Sequence, residues 1–223
     1  MFAGIARRYD LANSVMTVGM HRRWRRRVVS LCSLSAGEQA IDLACGTGDI
    51  ALLLARAVGP GGRVVGVDFC EEMLVVAREK ATARGAHIEF INADILALPL
   101  PDDKFAAATI GFGVRNVSDP LACIREMARV VKPGGRVVTL ETGQPPNSLL
   151  RALVSGLGRV YIRTIGALVA RDARAYAYLH ASSQRFPSGR DFVELMRSSG
   201  CFSEIQSQPQ SGGVAWIYAG TVK

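Results

Sequence analysis

Asp42-Leu43-Ala44-Cys45-Gly46-Thr47-Gly48-Asp49 follows the short apolar run Gln39–Leu43 and opens the stretch Asp49–Val58, which reads as a helix. A glycine-rich turn there lets the backbone approach a ligand closely. The helix N-terminus adds partial positive charge and N–H donors. Those donors suit the carboxylate of a methionine moiety as well as a phosphate. Asp68 ends the next apolar segment, twenty residues after Gly48. A carboxylate at that spacing can accept hydrogen bonds from both hydroxyls of a ribose. Asp94 ends the segment after that, where it can accept from an adenine amino group. Each residue alone has a structural explanation, since aspartates after strands are often helix caps or turn residues. Their combination argues for a bound nucleoside. The turn lacks the third glycine of G-x-G-x-x-G because position 51 is Ala51. Alanine is tolerated there, so a nicotinamide dinucleotide stays open on these residues alone.

The elements that position them alternate in type. Strands are expected at Gln39–Leu43, Arg63–Phe69, His87–Ala93, Phe105–Gly111 and Arg136–Glu141. Helices are expected at Asp49–Val58, Glu71–Arg84 and Pro120–Val131, with glycine- or proline-containing stops at Gly59-Pro60-Gly61-Gly62, Gly85 and Lys132-Pro133-Gly134-Gly135. Alternation of this kind predicts an α/β fold with a mostly parallel sheet covered on both faces. Residues 1–30 read as a basic helical cap, 38–141 as the cofactor-binding core, and 142–223 as substrate-side helices and closing strands of one domain. In the last part, 147–180 and Asp191–Ser199 read as helices, and Phe202–Gln206 and Val214–Thr221 as weaker strands.

Composition excludes several classes. With 49% hydrophobic and 21% charged residues in 223, disorder is not expected. The five cysteines form no C-x-x-C pair, which argues against a disulfide framework or a zinc knuckle and for a reduced, cytoplasmic setting. No metal site is expected. Arg7, Arg8 and Asp10 interrupt the first apolar stretch, so no signal peptide is expected, and arginines punctuate the most apolar window, Leu149–Val169. The net charge of +8 attracts anions of any kind. The run His21-Arg22-Arg23-Trp24-Arg25-Arg26-Arg27 is either a solvated helix face with Trp24 turned inward or a contact for a lipid surface.

The motif DLACGTGD, with its spacing to Asp68 and Asp94, resembles the first motifs of class I S-adenosylmethionine methyltransferases. Leu98–Phe105 and Lys132-Pro133-Gly134-Gly135 resemble that superfamily too, although Ala106 stands where an aspartate is common. Within it, the chain resembles the quinone-biosynthesis C-methyltransferases. Tyr9-Asp10-Leu11-Ala12-Asn13, Gly19–Trp24, Gly111-Phe112-Gly113-Val114-Arg115-Asn116-Val117, Tyr176–Leu179, Phe186-Pro187 and Gly213-Val214-Ala215 carry that likeness. Cys70, Tyr218 and the residues after Glu141 depart from the usual pattern. The resemblance implies a Rossmann-like sheet of seven strands with S-adenosylmethionine as cofactor. It places Asp42, Gly46, Thr47, Gly48, Asp68, Asp94, Ile95 and Gly111 at the cofactor and implies Arg115 and Asn116 as a catalytic pair.

The implied reaction is methylation of a ring carbon in a prenylated quinol: demethylmenaquinol, or the methoxybenzoquinol precursor of ubiquinol. Loss of a hydroxyl proton gives a phenolate whose charge reaches the ortho carbon, and that carbon attacks the sulfonium methyl. Arginine is effectively always protonated, so Arg115 is expected to clamp the phenolate rather than remove the proton, with Asn116 orienting it. His21 and Tyr178 are candidates for the substrate side and for the base. A contact with the inner face of the membrane and a homodimer both remain open.

Two other classes compete. A nucleic-acid methyltransferase would explain the positive charge, but no NPPY-like loop follows the fourth strand and no Pro-Cys nucleophile or aromatic–basic platform is visible. No nucleic-acid partner is therefore expected. A non-catalytic cofactor-binding module on the same fold is the other, since fold does not settle function.

Overall fold

Short runs of small and β-branched residues build the central sheet. The structure is a computed structural model and describes residues 6–145 and 186–223. The strands are β1 (Gln39–Leu43), β2 (Arg63–Asp68), β3 (Ile88–Asn92), β4 (Phe105–Gly111), β5 (Val131–Thr142), β6 (Phe202–Gln210) and β7 (Ala215–Val222). They form one seven-stranded sheet in the order β3-β2-β1-β4-β5-β7-β6. The first five run parallel, and β7 is antiparallel to both β5 and β6.

The helices are α1 (Ala6–Met16), α2 (His21–Leu31), α3 (Asp49–Val58), α4 (Glu71–Ala83), α5 (Pro120–Arg129) and α6 (Arg190–Ser198). Successive strand residues face opposite sides, so each strand feeds two cores. Ile41, Leu43, Val65 and Ile110 pack with Ile124 and Met127 of α5 and Phe192 and Met196 of α6. Ala40, Val64, Ala107 and Val138 pack with Trp24 and Val28 of α2 and Ile50, Ala51 and Leu54 of α3. Asp119 caps α5 by accepting from Ala122 N at 2.9 Å, with Pro120 in the first turn.

Four elements differ from their sequence expectations. The basic N-terminal segment is two helices, not one. Val18 and Gly19 take positive φ angles of 49° and 73° and turn the chain between them. The helix expected to reach Val131 stops at Arg129, and β5 starts at Val131 rather than Arg136. A register shift between Phe105 and Ala107 lets the sheet absorb Lys132–Gly135 as a bulge, with Gly134 at φ 77°. β6 runs to Gln210 rather than Gln206, because an exposed edge strand of Ser and Gln carries little apolar signal. The expected helical segment 147–180 lies outside the described residues.

β1 leads outward to β2 and β3, and the chain returns to place β4 on the other side of β1. Open parallel sheets bind ligands at such a switch point, along the carboxyl ends of the strands. Here that edge collects the glycine turn after β1, Asp68 at the end of β2, Gly111–Asn116 at and beyond the end of β4, and Glu141 near the end of β5.

Candidate active site

The glycine turn is held from below and from the side by two aspartates. Asp68 Oδ2 accepts from Gly46 N at 2.8 Å, and its Oδ1 accepts from Cys70 N at 2.9 Å. Burial pushes the Asp68 carboxyl above its ordinary range, and the Cys70 and Gly46 amides pull it back. Each carboxylate oxygen has two lone pairs, so both can still accept from a ribose. Gly46, at φ 54°, would place a Cβ within 4 Å of nothing, so the backbone there faces open space. Gly48, at φ 79°, serves packing instead: a Cβ would sit 3.2 Å from Ala77 Cβ and 3.3 Å from Phe90 Cζ. Open space over the Gly46 backbone, beside an acid with spare lone pairs, fits a nucleoside cofactor.

Asp42 sits under the turn rather than in the crevice. It is fully buried, with Oδ1 accepting from Thr109 Oγ1 at 2.7 Å and Oδ2 from Ala51 N at 3.1 Å. Burial raises its carboxyl to about 7 despite those two donors. The structure therefore gives Asp42 the task of fixing α3 and its turn against the sheet. Thr47 also differs from a simple cofactor contact, because its hydroxyl donates to Asp10 Oδ1 at 2.6 Å.

That bond belongs to a charged network docking the N-terminal helices on the turn. Lys80 of α4 donates to Asp10 Oδ2 at 2.7 Å and to Thr47 Oγ1 at 3.1 Å, and it pairs with Asp49. Arg25 of α2 pairs with the other oxygen of Asp49. Burial pushes Asp49 up, but Arg25 and Lys80 outweigh it and hold the carboxyl below its usual range. An unpaired acid at the start of α3 would repel an anionic ligand group. Its two cationic partners remove that repulsion.

Beyond β4 the chain turns through Phe112, at φ 60°, into a single 3-10 turn, Val114–Asn116. A phenylalanine in the left-handed region is strained by about 1–3 kcal/mol, and such strain concentrates at functional sites. Gly113 is required here, because a Cβ would lie 2.8 Å from Ala44 Cβ of the glycine turn. The two loops are thus pressed together. Arg115 lies over the Phe112 ring, 5.8 Å from its centroid, and Trp24 of α2 meets the same ring edge-on at 6.4 Å. The Arg115 side chain is 6% exposed and pairs with Glu141, which is 1% exposed. Arg115 N also donates to Glu141 Oε2, at 3.3 Å. Arg115 Nε is buried without a hydrogen-bond partner.

The other expected residues fall as follows. Asp94 is exposed and its Oδ1 accepts from Leu96 N at 2.9 Å, which shapes the turn after β3; Ile95 is buried beside it. Gly111 makes room for Ile50, whose Cδ1 would be 2.6 Å from an added Cβ. Asn116 Nδ2 donates to Phe112 O at 3.1 Å and braces the strained turn. The carboxylate that grips Arg115 is Glu141, a residue not among the sequence candidates. His21 is buried at the start of α2, with Nδ1 2.7 Å from Thr17 Oγ1. Burial and the Arg25 charge lower it to about 4, so the ring is neutral at physiological pH. Tyr178 lies outside the described residues. Asp10, Arg25, Asp49 and Lys80 were also missed. Asp10 and Arg25 do fall within the N-terminal segments singled out above and Asp49 closes the glycine motif, and those were their only signals.

The chain matches the ubiE/COQ5 methyltransferase family over residues 1–222. It belongs to that family. A C-methyltransferase named UbiE, of ubiquinone and menaquinone biosynthesis in Bdellovibrio bacteriovorus, is 42% identical across 100% of this chain and 94% of its own. A demethylmenaquinone methyltransferase of Geobacillus stearothermophilus is 39% identical, over 99% and 94%. Among solved structures, a putative S-adenosyl-L-methionine-dependent methyltransferase from Methanococcus maripaludis superposes with a TM-score of 0.69 at 16% identity, over 100% of this chain and 95% of that one. One from Aquifex aeolicus gives 0.63 at 18%, over 89% of each chain. These superpositions carry the fold, and the α/β Rossmann-like architecture of the family's relatives is the one described above.

Proposed function

We propose that this ubiE/COQ5-family methyltransferase moves the methyl group of S-adenosylmethionine to a ring carbon of a prenylated quinol in respiratory quinone biosynthesis. Demethylmenaquinol is the first substrate, and the methoxybenzoquinol precursor of ubiquinol is the second. The observation that carries this reading is the buried Arg115 at the switch point, on the strained turn pressed against the glycine loop, in a chain that matches the family from end to end.

When bound, the cofactor supplies a methyl on a positively charged sulfur. The chain supplies the rest. Gly46 and Asp68 hold the nucleoside, while Asp42 and the Asp10–Thr47–Lys80–Asp49 network keep their loop in place. Asp94 and Ile95 border the adenine side. The Arg115 guanidinium faces the quinol oxygen and stabilises the charge that develops there; a preorganised donor of this kind is worth about 2.7–4 kcal/mol. His21 is neutral at working pH, and a value lowered to about 4 makes it a weak base for a quinol hydroxyl. Holding ring and methyl in line contributes up to about 7–11 kcal/mol.

The substrate's apolar tail implies delivery from a bilayer. Among the described residues no helix is long and apolar enough to cross a membrane. The outer face of α2 exposes Arg22, Arg23, Arg26 and Arg27, and Leu11, Val18 and Met20 are apolar residues exposed nearby. That pairing suits peripheral docking on anionic lipid. Flotation with anionic vesicles should recover the protein at low salt and release it at high salt. Absence of low-salt binding removes the docking.

Incubation with radiolabelled cofactor and short-prenyl analogues of both quinols tests the reaction. Label is expected in a ring C-methyl of the product. Absence of label from both, while calorimetry reports bound cofactor, overturns the assignment.

A further inference from the structure

An arginine meant to meet a phenolate is expected to be free, yet Arg115 is not. Its Nη1 is held by Glu141, and the same carboxylate accepts from Arg115 N at 3.3 Å and from Thr142 N at 2.9 Å. Glu141 therefore grips the side chain and the backbone of one residue at once. The grip joins the end of β5 to the turn after β4, across the parallel ladder in which Gly111 pairs with Leu140.

We propose that Glu141 is a positioning residue of the methyl transfer: it anchors one edge of the Arg115 guanidinium so that the unfilled donors meet the quinol oxygen. This rests on the reading that the quinol oxygen lies at Arg115. Two observations carry it. A guanidinium has five N–H donors in a fixed plane, so fixing Nη1 fixes the direction of the others. Arg115 Nε is buried and has no partner, although buried donors are almost always satisfied. It is a donor waiting for an acceptor. A second orphan lies on the same part of the sheet: Trp216 is the register partner of Glu141 on β7, and its Nε1 is also buried without a partner.

The pairing has an electrostatic consequence. A lone buried cation would attract a quinolate strongly and hold it equally before and during reaction, which does not raise turnover. The Arg115–Glu141 pair is neutral overall and presents directed donors instead of net charge. Replacing the carboxylate by an amide restores the net positive charge and frees the guanidinium to turn.

The test compares Glu141→Gln, Glu141→Asp and Arg115→Lys with the wild type. It reads the melting temperature, S-adenosylhomocysteine affinity by calorimetry, and the pH profile of kcat with a short-prenyl quinol. Glu141→Gln keeps the shape. It is expected to bind S-adenosylhomocysteine within about two-fold of wild type, to lose kcat by roughly a hundred-fold, and to shift the acid limb of its profile to lower pH as the unbalanced cation eases quinol ionisation. Glu141→Asp retains the charge one methylene back. It is expected to recover part of kcat and to leave the acid limb where it is, and it is read in the same way if the Gln protein melts too low. Arg115→Lys loses the planar fork and is expected to lose kcat. Wild-type kcat and acid limb in the Glu141 variants, with kcat lost in Arg115→Lys, overturn the role of Glu141 alone. Wild-type kcat in Arg115→Lys overturns the placement of the quinol at Arg115. Loss of S-adenosylhomocysteine binding in folded Glu141→Gln marks the pair as scaffold and also overturns the proposal.

Discussion

The two sides of the switch point are built differently. On the β1–β2 side, the proposed ligand contacts are main-chain groups and one acid, held by hydrogen bonds between neighbouring strand ends. Gly46 N meets Asp68, and Ala51 N meets Asp42. On the β4–β5 side, the proposed chemistry rests on a buried ion pair and a strained aromatic, Arg115–Glu141 over Phe112. The first kind of site binds; the second kind directs charge. A methyl transfer needs both, and the contact of Gly113 with Ala44 sets their separation.

Removing the charged side as a unit should separate the two most sharply. In Arg115→Leu/Glu141→Leu both ions are replaced by apolar groups, which often costs little stability. We expect kcat to fall by roughly 10²–10³ with S-adenosylhomocysteine affinity nearly unchanged. Arg115→Ala alone should melt lower, by an amount on the order of 3–5 kcal/mol, because Glu141 is left buried and unpaired. If the double variant loses cofactor affinity as well, the two sides are not separable.

Asp68→Ala attacks the other side. It removes acceptors for Gly46 N, Cys70 N and the ribose, and should weaken S-adenosylhomocysteine about a hundred-fold in calorimetry, at about 1.4 kcal/mol per factor of ten. Affinity within a few-fold of wild type would mean that the sugar is held elsewhere.

Asp42 supplies a pH test of the scaffold beneath the turn. Its carboxyl titrates at about 7 when folded, against an ordinary 3.8. The folded state thus holds a proton that the unfolded state has lost, and stability falls as pH rises through that window. Asp42→Asn cannot ionise, so its melting temperature should gain on the wild type between about pH 4 and 7 and then stay ahead by a constant few degrees. His21 opposes the trend in the wild type at the acid end, since its folded value of about 4 lies below the ordinary 6.5. Because His21 is present in both proteins, the difference between them isolates Asp42. A gap that does not vary with pH removes the assignment of a buried, protonated acid.

The smallest effect concerns the cap. Lys80→Met breaks the links to Asp10, Thr47 and Asp49, leaving Arg25 on Asp49. A loss of about 1 kcal/mol in stability and a few-fold faster release of S-adenosylhomocysteine are expected, read by thermal melting and stopped flow. Unchanged release would detach α1 from the cofactor side.

The same contrast explains what the sequence made legible. Gly46, Gly48 and Asp68 stand out because a strand–turn–helix unit is local, and its glycines and acid recur at a fixed spacing. The parallel sheet of β1–β5 follows from alternation, but the order of its strands does not. Glu141 was not legible as part of the site: an acid at the end of a strand looks like a solvated charge until β4 and β5 lie side by side. Asp10 and Lys80 are seventy positions apart, and nothing in either neighbourhood points to the other. The break at Val18-Gly19 was missed because a single glycine is a weak stop signal inside a segment that reads as helical on both sides. The bulge at Lys132–Gly135 was missed because proline and glycine signal a stop whether the chain leaves the sheet or merely kinks within it.

A crystal structure of the protein with S-adenosylhomocysteine and a short-prenyl quinol tests the account most directly. It should show both ribose hydroxyls about 3 Å from the Asp68 carboxylate, and a quinol oxygen at a similar distance from an Arg115 nitrogen while Glu141 keeps its hold on Nη1. A sugar remote from Asp68, or a ring seated away from Arg115, would contradict it.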